Sequence, residues 1–256
     1  MSHQKQWFND FFGSDYLKIY SGNFDSKRTI EEVNFIIETL SLKPKSKILD
    51  LCCGQGRHSI ELSIKGMNVV SQDLIQAYLD IAEEEAKAKK VNISTICSDM
   101  STIPFESEFD AIINMFTAFG YLSSKNDDSQ VLKEMYKSLK PGGKLLIDTL
   151  NREWVIINNI EREWRQDKDG TLIIEERNFD LETSRNHVSF KLVSPEGKIK
   201  EIEGHKIRLY TLTELIQMLE NANFVFKKAF GYYNSSNYDK HSRRMIILAE
   251  KPLVKN

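Results

Sequence analysis

One stretch constrains the fold of this chain more than any other: Ile48-Leu49-Asp50-Leu51-Cys52-Cys53-Gly54-Gln55-Gly56-Arg57-His58-Ser59. An apolar run ends in an acid, passes through small residues and two glycines, and continues as sequence able to form a helix. A buried parallel strand has this pattern where its carboxyl end turns tightly into a helix N-terminus. Glycine at such a turn lets the backbone approach a ligand, because no Cβ intervenes.

The flanking sequence supports that reading. Thr29 and Glu32 match a capping box ahead of an amphipathic helix with Ile30, Val33, Ile36, Ile37 and Leu40, ended by Pro44. A strand over residues 47–51 leads into a helix from about residue 57 to 65, stopped by Gly66. Residues 68–72 form a second strand ending in Asp73. The next helix places Ile75, Leu79, Ala82 and Ala86 on one face, and residues 92–97 form a third strand. Residues 109–114 read as a fourth strand, followed by an aromatic loop over 115–121. Asp128 is placed to cap a helix bearing Val131, Leu132, Met135 and Leu139. Pro141-Gly142-Gly143 turns into a strand over 144–149.

Strands alternating with helices predict right-handed crossovers and a parallel sheet. Beyond Asn151 the rhythm changes. Residues 171–179, 187–193 and 199–209 read as successive strands without helices, an antiparallel meander. A second capping box, Thr211 to Glu214, restarts the helical pattern. Strands over 224–230 and 245–250 follow, with a polar, mobile tip over 231–244 between them. The predicted class is α/β: a Rossmann-like core over 29–150 and 206–256, and an antiparallel β insertion over 151–205 serving as a lid. Residues 1–28 form an aromatic flap with Trp7, Phe8, Phe11, Phe12, Tyr16, Tyr20 and Phe24.

Composition narrows the partners. Lys and Arg number 35 against 37 Asp and Glu, a net charge of −2, which exerts no general pull on nucleic acid or anionic membrane. No apolar run approaches the ~18 residues of a membrane span. The three cysteines, two of them adjacent at Cys52 and Cys53, have no zinc-site spacing. We expect a cytoplasmic monomer or homodimer acting on a small molecule, without a metal.

Four strand ends deliver chemistry to one crevice: residues 50–56, Asp73, Asp99 and Asn114. Ligands of open parallel sheets bind beyond these carboxyl ends, at the switch point. An acid about 20 residues past a glycine turn accepts from ribose hydroxyls, and Asp73 lies 17 residues past Gly56. Asp99 can accept from an adenine amine, with Met100 as an apolar wall. The turn lacks the third glycine of a pyrophosphate-binding G-x-G-x-x-G. Asp50 beside it would repel a diphosphate but suits a cationic sulfonium. S-adenosylmethionine is therefore favoured over NAD.

Residues 46–150 resemble the class I S-adenosylmethionine-dependent methyltransferases. The resemblance lies in residues 48–56, Asp73, Ser98-Asp99-Met100, residues 109–114 and residues 139–145, in that order. The whole chain is similar in outline to bacterial small-molecule N-methyltransferases with an aromatic N-terminal flap and a β insertion after the fifth strand. The resemblance implies a seven-stranded sheet whose last strand is antiparallel. It places Asp50, Cys52 and the Gly54 to Gly56 backbone around the methionine part of the cofactor. Asp73 with Leu74 falls at the ribose, Asp99 and Met100 at the adenine, and Asn114 and Phe116 beside the sulfonium. Tyr20, or Tyr16, would reach the carboxylate from the flap. Cys52 departs from the family, which usually has glycine there.

Acceptor contacts are expected from Tyr16, Phe119, Tyr121, Asn151, Arg152, Arg208 and Tyr210. No catalytic residue stands out; His187 is the candidate general base, whereas His58 is expected to pack or cap. The predicted reaction moves a methyl group to a small-molecule N or O acceptor by in-line displacement, releasing S-adenosylhomocysteine. The alternatives are a non-catalytic module binding the same cofactor and a nicotinamide-dependent oxidoreductase.

Overall fold

The computed structural model describes residues 11–20 and 25–253; Trp7, Phe8 and Phe24 of the expected flap lie outside them. Helices α1 (Ser14–Tyr20) and α2 (Ser26–Leu40) precede β1 (Lys47–Leu51). There follow α3 (Arg57–Ile64), β2 (Asn68–Asp73), α4 (Gln76–Ala88), β3 (Ser94–Cys97), β4 (Phe109–Asn114), α5 (Lys125–Ser138) and β5 (Leu139–Leu150). A short α6 (Arg152–Ile157) leads into β6 (Arg162–Gln166), β7 (Leu172–Asp180), β8 (Arg185–Val193) and β9 (Ile199–Arg208). The chain closes with α7 (Leu212–Asn221), β10 (Val225–Phe230) and β11 (Arg244–Glu250).

One sheet has seven strands in the order β10-β11-β5-β4-β1-β2-β3; the other has four, β6-β7-β8-β9. In the first, β1 to β5 pair in parallel and β11 runs antiparallel to β5. Strand order reverses between β1 and β4, the switch point of a doubly wound sheet. The second sheet is antiparallel throughout.

Alternation along β1 explains both layers of the core. Leu49 and Leu51 face a cluster with Val131 and Met135 of α5 and Leu215 of α7. Ile48 faces the other side, against Val33 and Ile36 of α2 and Leu62 of α3. Each is fully buried, and truncating such a Leu or Ile to Ala costs about 2–5 kcal/mol.

Several local expectations need correction. Asp25, not Thr29, caps α2 by accepting from Arg28 N, which frees Glu32 to turn inward. Ser124 caps α5 in a capping box with Asp127. Asp128 faces the core, where its Oδ2 accepts from Tyr210 Oη at 2.7 Å. Strand β5 starts at Leu139, because Pro141-Gly142-Gly143 forms a bulge: the register with β4 slips from Phe109↔Leu139 to Ala111↔Lys144.

Two elements went unforeseen. Helix α6 is capped by Asn151, whose side chain accepts from Glu153 N. Strand β6 is exposed along its whole length and lacks the apolar alternation that marks a strand. The tip between β10 and β11 is tied down rather than loose. Asn151 Nδ2 donates to Asp239 O at 2.9 Å and Ser242 O at 2.7 Å, and Tyr238 Oη donates to Asn151 Oδ1.

Candidate active site

The carboxyl ends of β1, β2, β3 and β4 open into one cavity. Asp50, Cys52, Gly54, Asp73, Leu74, Asp99, Met100 and Phe116 line it, with Tyr16 of α1 and Tyr121 across from them. The turn after β1 is built from left-handed residues: Cys52 at φ 61°, Gly54 at 55° and Gly56 at 72°. A Cβ at Gly54 would meet nothing within 4 Å, so backbone conformation alone calls for glycine there. A Cβ at Gly56 would lie 2.7 Å from Ala82 Cβ, so that glycine lets α3 lie against α4. It is not among the residues lining the cavity. Cys52 holds its conformation despite a Cβ, at a cost of about 1–2 kcal/mol, and its Sγ sits 3.7 Å from Met100 Sδ.

Three carboxylates are fixed around the turn. Asp73 accepts from Gly54 N at 2.8 Å and Ile75 N at 3.0 Å, which aligns the end of β2 with the glycine turn. Asp50 is fully buried and accepts from Ser59 Oγ at 2.6 Å, which in turn accepts from Ser71 Oγ. Burial raises the pKa of both acids. Asp99 Oδ1 accepts from Ser101 N and Oγ, and Gln72 Nε2 holds the Asp99 carbonyl at 3.0 Å.

Two supporting clusters were absent from the sequence reading. At the end of β4, Phe116 and Thr117 are both left-handed, at φ 59° and 63°. Asp148 of β5 restrains them: its Oδ2 accepts from Phe116 N at 2.9 Å and from Tyr233 Oη at 2.7 Å, and its Oδ1 from Arg244 Nε at 2.7 Å. Strain of this kind persists only where surroundings over-determine it, typically at functional sites. An acid closing the apolar run Leu145-Leu146-Ile147 was the available signal. The second cluster centres on Glu32, fully buried, which accepts from Arg28 Nε, Arg57 Nη1 and His58 Nε2. It aims Arg57 at the first cavity, with the guanidinium 5.7 Å from the Phe116 ring centroid. Arg57 Nη2 is buried with no hydrogen-bond partner among the described residues.

A second cavity of about 620 Å³ adjoins the first, sharing Tyr16, Phe116 and Tyr121. It lies between the seven-stranded core and the second sheet, with Trp154 of α6 and His205 of β9 in its wall. Tyr20 belongs here rather than at the turn, its Oη 2.9 Å from His205 Nε2.

The remaining candidates sit elsewhere. Asn114 is buried and donates to Leu51 O, tying β4 to β1. Phe119 and Tyr210 are core residues with rings 5.8 Å apart. Asn151 is occupied in capping α6 and pinning the tip. Arg152 donates to Ser184 Oγ and covers Phe179. Arg208 lies 3.7 Å from Glu214 and over the Tyr210 ring. His187 falls between Asn186 and Val188 on β8, so strand alternation turns it away from the cavity those two residues line. The inward histidine is His205.

Residues 48–143, which hold the turn and all three acids, match the family model described as a methyltransferase domain. Over that segment the chain is similar to methyltransferase domains. YqeM of Bacillus subtilis, itself provisionally named a methyltransferase, is 29% identical over 82% of this chain and 86% of its own length. A glycine/sarcosine N-methyltransferase of Aphanothece halophytica is 30% identical; that match spans 58% of each chain. Among solved structures, a S-adenosylmethionine-dependent methyltransferase from Clostridium acetobutylicum superposes with a TM-score of 0.78 at 22% identity. The superposition covers 96% of this chain and 99% of the other, and so extends the shared methyltransferase fold over the second sheet.

Proposed function

We propose that this protein is a S-adenosylmethionine-dependent methyltransferase that alkylates an N or O atom of a small molecule in the second cavity. The observation that carries the reading is the set of acids at the first. Asp73 and Asp99 stand at successive strand ends as fixed acceptors, and Asp50 backs the turn where a pyrophosphate-binding protein leaves room for negative charge.

The residues present fit the cofactor. Asp73 keeps lone pairs free for two ribose hydroxyls while two backbone amides hold its carboxylate in place. Asp99 accepts from the adenine amine, and Met100 and Leu74 supply apolar walls. The unpartnered Arg57 Nη2 is the donor suited to the cofactor's carboxylate, in place of Tyr20. Bound there, S-adenosylmethionine supplies a methyl group already activated by its positive sulfur. The protein then has to align the acceptor and exclude water. Phe116, held by Asp148 between the two cavities, sets the line along which the acceptor meets the methyl group. Helix α1 covers the junction as a flap, and the sheet β6 to β9 serves as the acceptor lid.

A cavity lined in part by aromatic rings and a near-neutral chain suit a metabolite better than a polymer, and the amine-methylating relative is consistent with this. Three free thiols accord with a cytoplasmic setting. Titration of the purified protein with S-adenosylhomocysteine and with NAD tests the reading: the former binds at least 10-fold tighter, and tighter NAD binding would overturn it. Asp73→Ala lowers S-adenosylhomocysteine affinity 10-fold or more, since it removes a charge-assisted pair of hydrogen bonds.

A further inference from the structure

Among the described residues, four side-chain polar atoms of the second sheet are buried without a hydrogen-bond partner: His187 Nε2, Arg208 Nε and, facing one cavity, Asn186 Oδ1 and His205 Nδ1. Asn186 and His205 are 5% and 8% exposed, and both line the second cavity. Register places them together. His205 pairs with Val188, two residues along β8 from Asn186, so the two are diagonal neighbours on one face, with Cβ atoms about 7 Å apart. His205 is anchored at its other nitrogen by Tyr20, whose ring meets Phe116 edge-on at 6.4 Å. The pair thus stands one residue away from the aromatic ring shared by both cavities.

A fold keeps buried polar atoms unpaired only where something else satisfies them. The surroundings here are Phe11, Ile19, Val188 and Phe190, against which leucine or phenylalanine would pack at no polar cost. Both atoms are also closed off from solvent, so whatever pairs with them is enclosed with them. Burial next to Arg177 keeps the His205 imidazole neutral, with its pKa pushed down to about 3. It is therefore a hydrogen-bonding group at neutral pH. When Nε2–H donates to Tyr20 Oη, Nδ1 presents a lone pair, and the Asn186 carbonyl oxygen presents another.

We propose that Asn186 and His205 are the specificity-determining pair of the acceptor cavity, and that the acceptor is a small amine bringing two N–H or O–H donors to them. This rests on the methyltransferase reading above. The cavity wall sets five arginines against Glu163 and Glu175, and this excess of positive charge disfavours an ammonium ion, so the amine keeps the lone pair it needs. The N–C bond forms as the S–C bond breaks, the electron pair of that bond passes to sulfur, and the product leaves as the methylated ammonium. No base is required. Tyr20 is a positioning residue that holds the His205 ring at Nε2.

The test uses the full chain saturated with S-adenosylhomocysteine for binding, and labelled S-adenosylmethionine for transfer. Ethanolamine and glucosamine are the two-donor probes, and 2-methoxy-N,N-dimethylethanamine is the donor-poor control. At least one two-donor probe binds and is methylated, with the control at least 10-fold weaker. Asn186→Leu and His205→Phe each raise KM for that probe 10-fold or more, with S-adenosylhomocysteine affinity unchanged and Tm unchanged or higher. Tyr20→Phe raises KM by a smaller factor and leaves kcat near wild type. Variants that keep the wild-type KM would overturn the inference. So would a Tm falling by several degrees in both apolar variants, or cofactor-saturated protein that binds neither probe. A crystal structure with the two atoms paired to enclosed water and the amine elsewhere would do the same. Failure of S-adenosylhomocysteine itself to bind would instead remove the parent reading.

Discussion

Substituting Glu32 by Gln separates a stability effect from a functional one in a single variant. The Glu32 carboxylate is fully buried and accepts from Arg28, Arg57 and His58. Although burial opposes ionisation, those partners hold its carboxyl at about 2 against an ordinary value of 4.5. At 1.36 kcal/mol per pKa unit, the charged form contributes about 3 kcal/mol to folding. Because the folded value lies below the unfolded one, this contribution is full above pH 4.5 and drains away as pH falls toward 2. At pH 3 it has shrunk to about 1 kcal/mol. Glu32→Gln also removes the carboxylate that the part-buried Arg28 and Arg57 share, so the loss at pH 7 is about 3–5 kcal/mol. That corresponds to a Tm lower by about 6–20 °C for a chain of this size. Urea denaturation of both proteins at pH 7 and pH 3 gives the two differences. S-adenosylhomocysteine titration at pH 7, at a temperature where the variant is folded, reports whether Arg57 has lost its aim, with an expected 10-fold weakening. Equal destabilisation at the two pH values, or a loss below about 1 kcal/mol at pH 7, would refute the electrostatic account.

Substitutions at three other positions probe different contacts. Gly56→Ala drives a Cβ to 2.7 Å from Ala82 in a left-handed backbone, and costs about 2–4 kcal/mol by thermal or urea unfolding. Tyr210→Phe removes the donor to Asp128, whose pKa burial pushes up to about 6. Since the folded value lies above the ordinary one, the charged form weighs against folding as pH rises through 6. The variant therefore loses about 2–3 kcal/mol at pH 8 and about 1 kcal/mol at pH 5, read from paired urea curves. Cys52→Gly relieves the left-handed strain at the turn while adding unfolded-state freedom, so its Tm stays within about 4 °C of wild type. Cys52→Val, β-branched in the same conformation, melts lower.

The core was legible because its signals are local. Ile48 and Leu49 running into Asp50, the spacing to Asp73 and the apolar faces of α4 and α5 each state their element within a dozen residues. The seven-stranded sheet follows from their alternation. What escaped depends on partners far along the chain. Thr29 and Glu32 have the spacing of a capping box, yet Glu32 is claimed by Arg57 and His58 on another helix, and Asp25 takes the cap. Strand β6 forms because β7 offers it a pairing edge, and its own residues carry no apolar rhythm. Asn151 reads as an acceptor contact and Asp148 as a strand-end acid until the tip folds back onto them. Which histidine of the second sheet faces the cavity was hidden for a related reason. A shift of one residue along an antiparallel pairing changes the face, and only the register of β8 with β9 decides which histidine points inward.

The chain leaves the seven-stranded core at Leu150 and rejoins it at Leu209, ahead of α7, and these two residues belong to one apolar cluster with Val155 and Ile207. Departure and return therefore occupy a single spot, further bound where Arg208 N donates to Gly120 O at 2.9 Å. A segment whose two ends already touch can be exchanged for another with the same end-to-end span without disturbing what lies on either side. On the function proposed above, chemistry and selectivity would then be inherited separately. Recombination across those two short joints would give the same alkylating half a new clientele, and a chimaera cut at 150 and 209 is the natural unit for redesign.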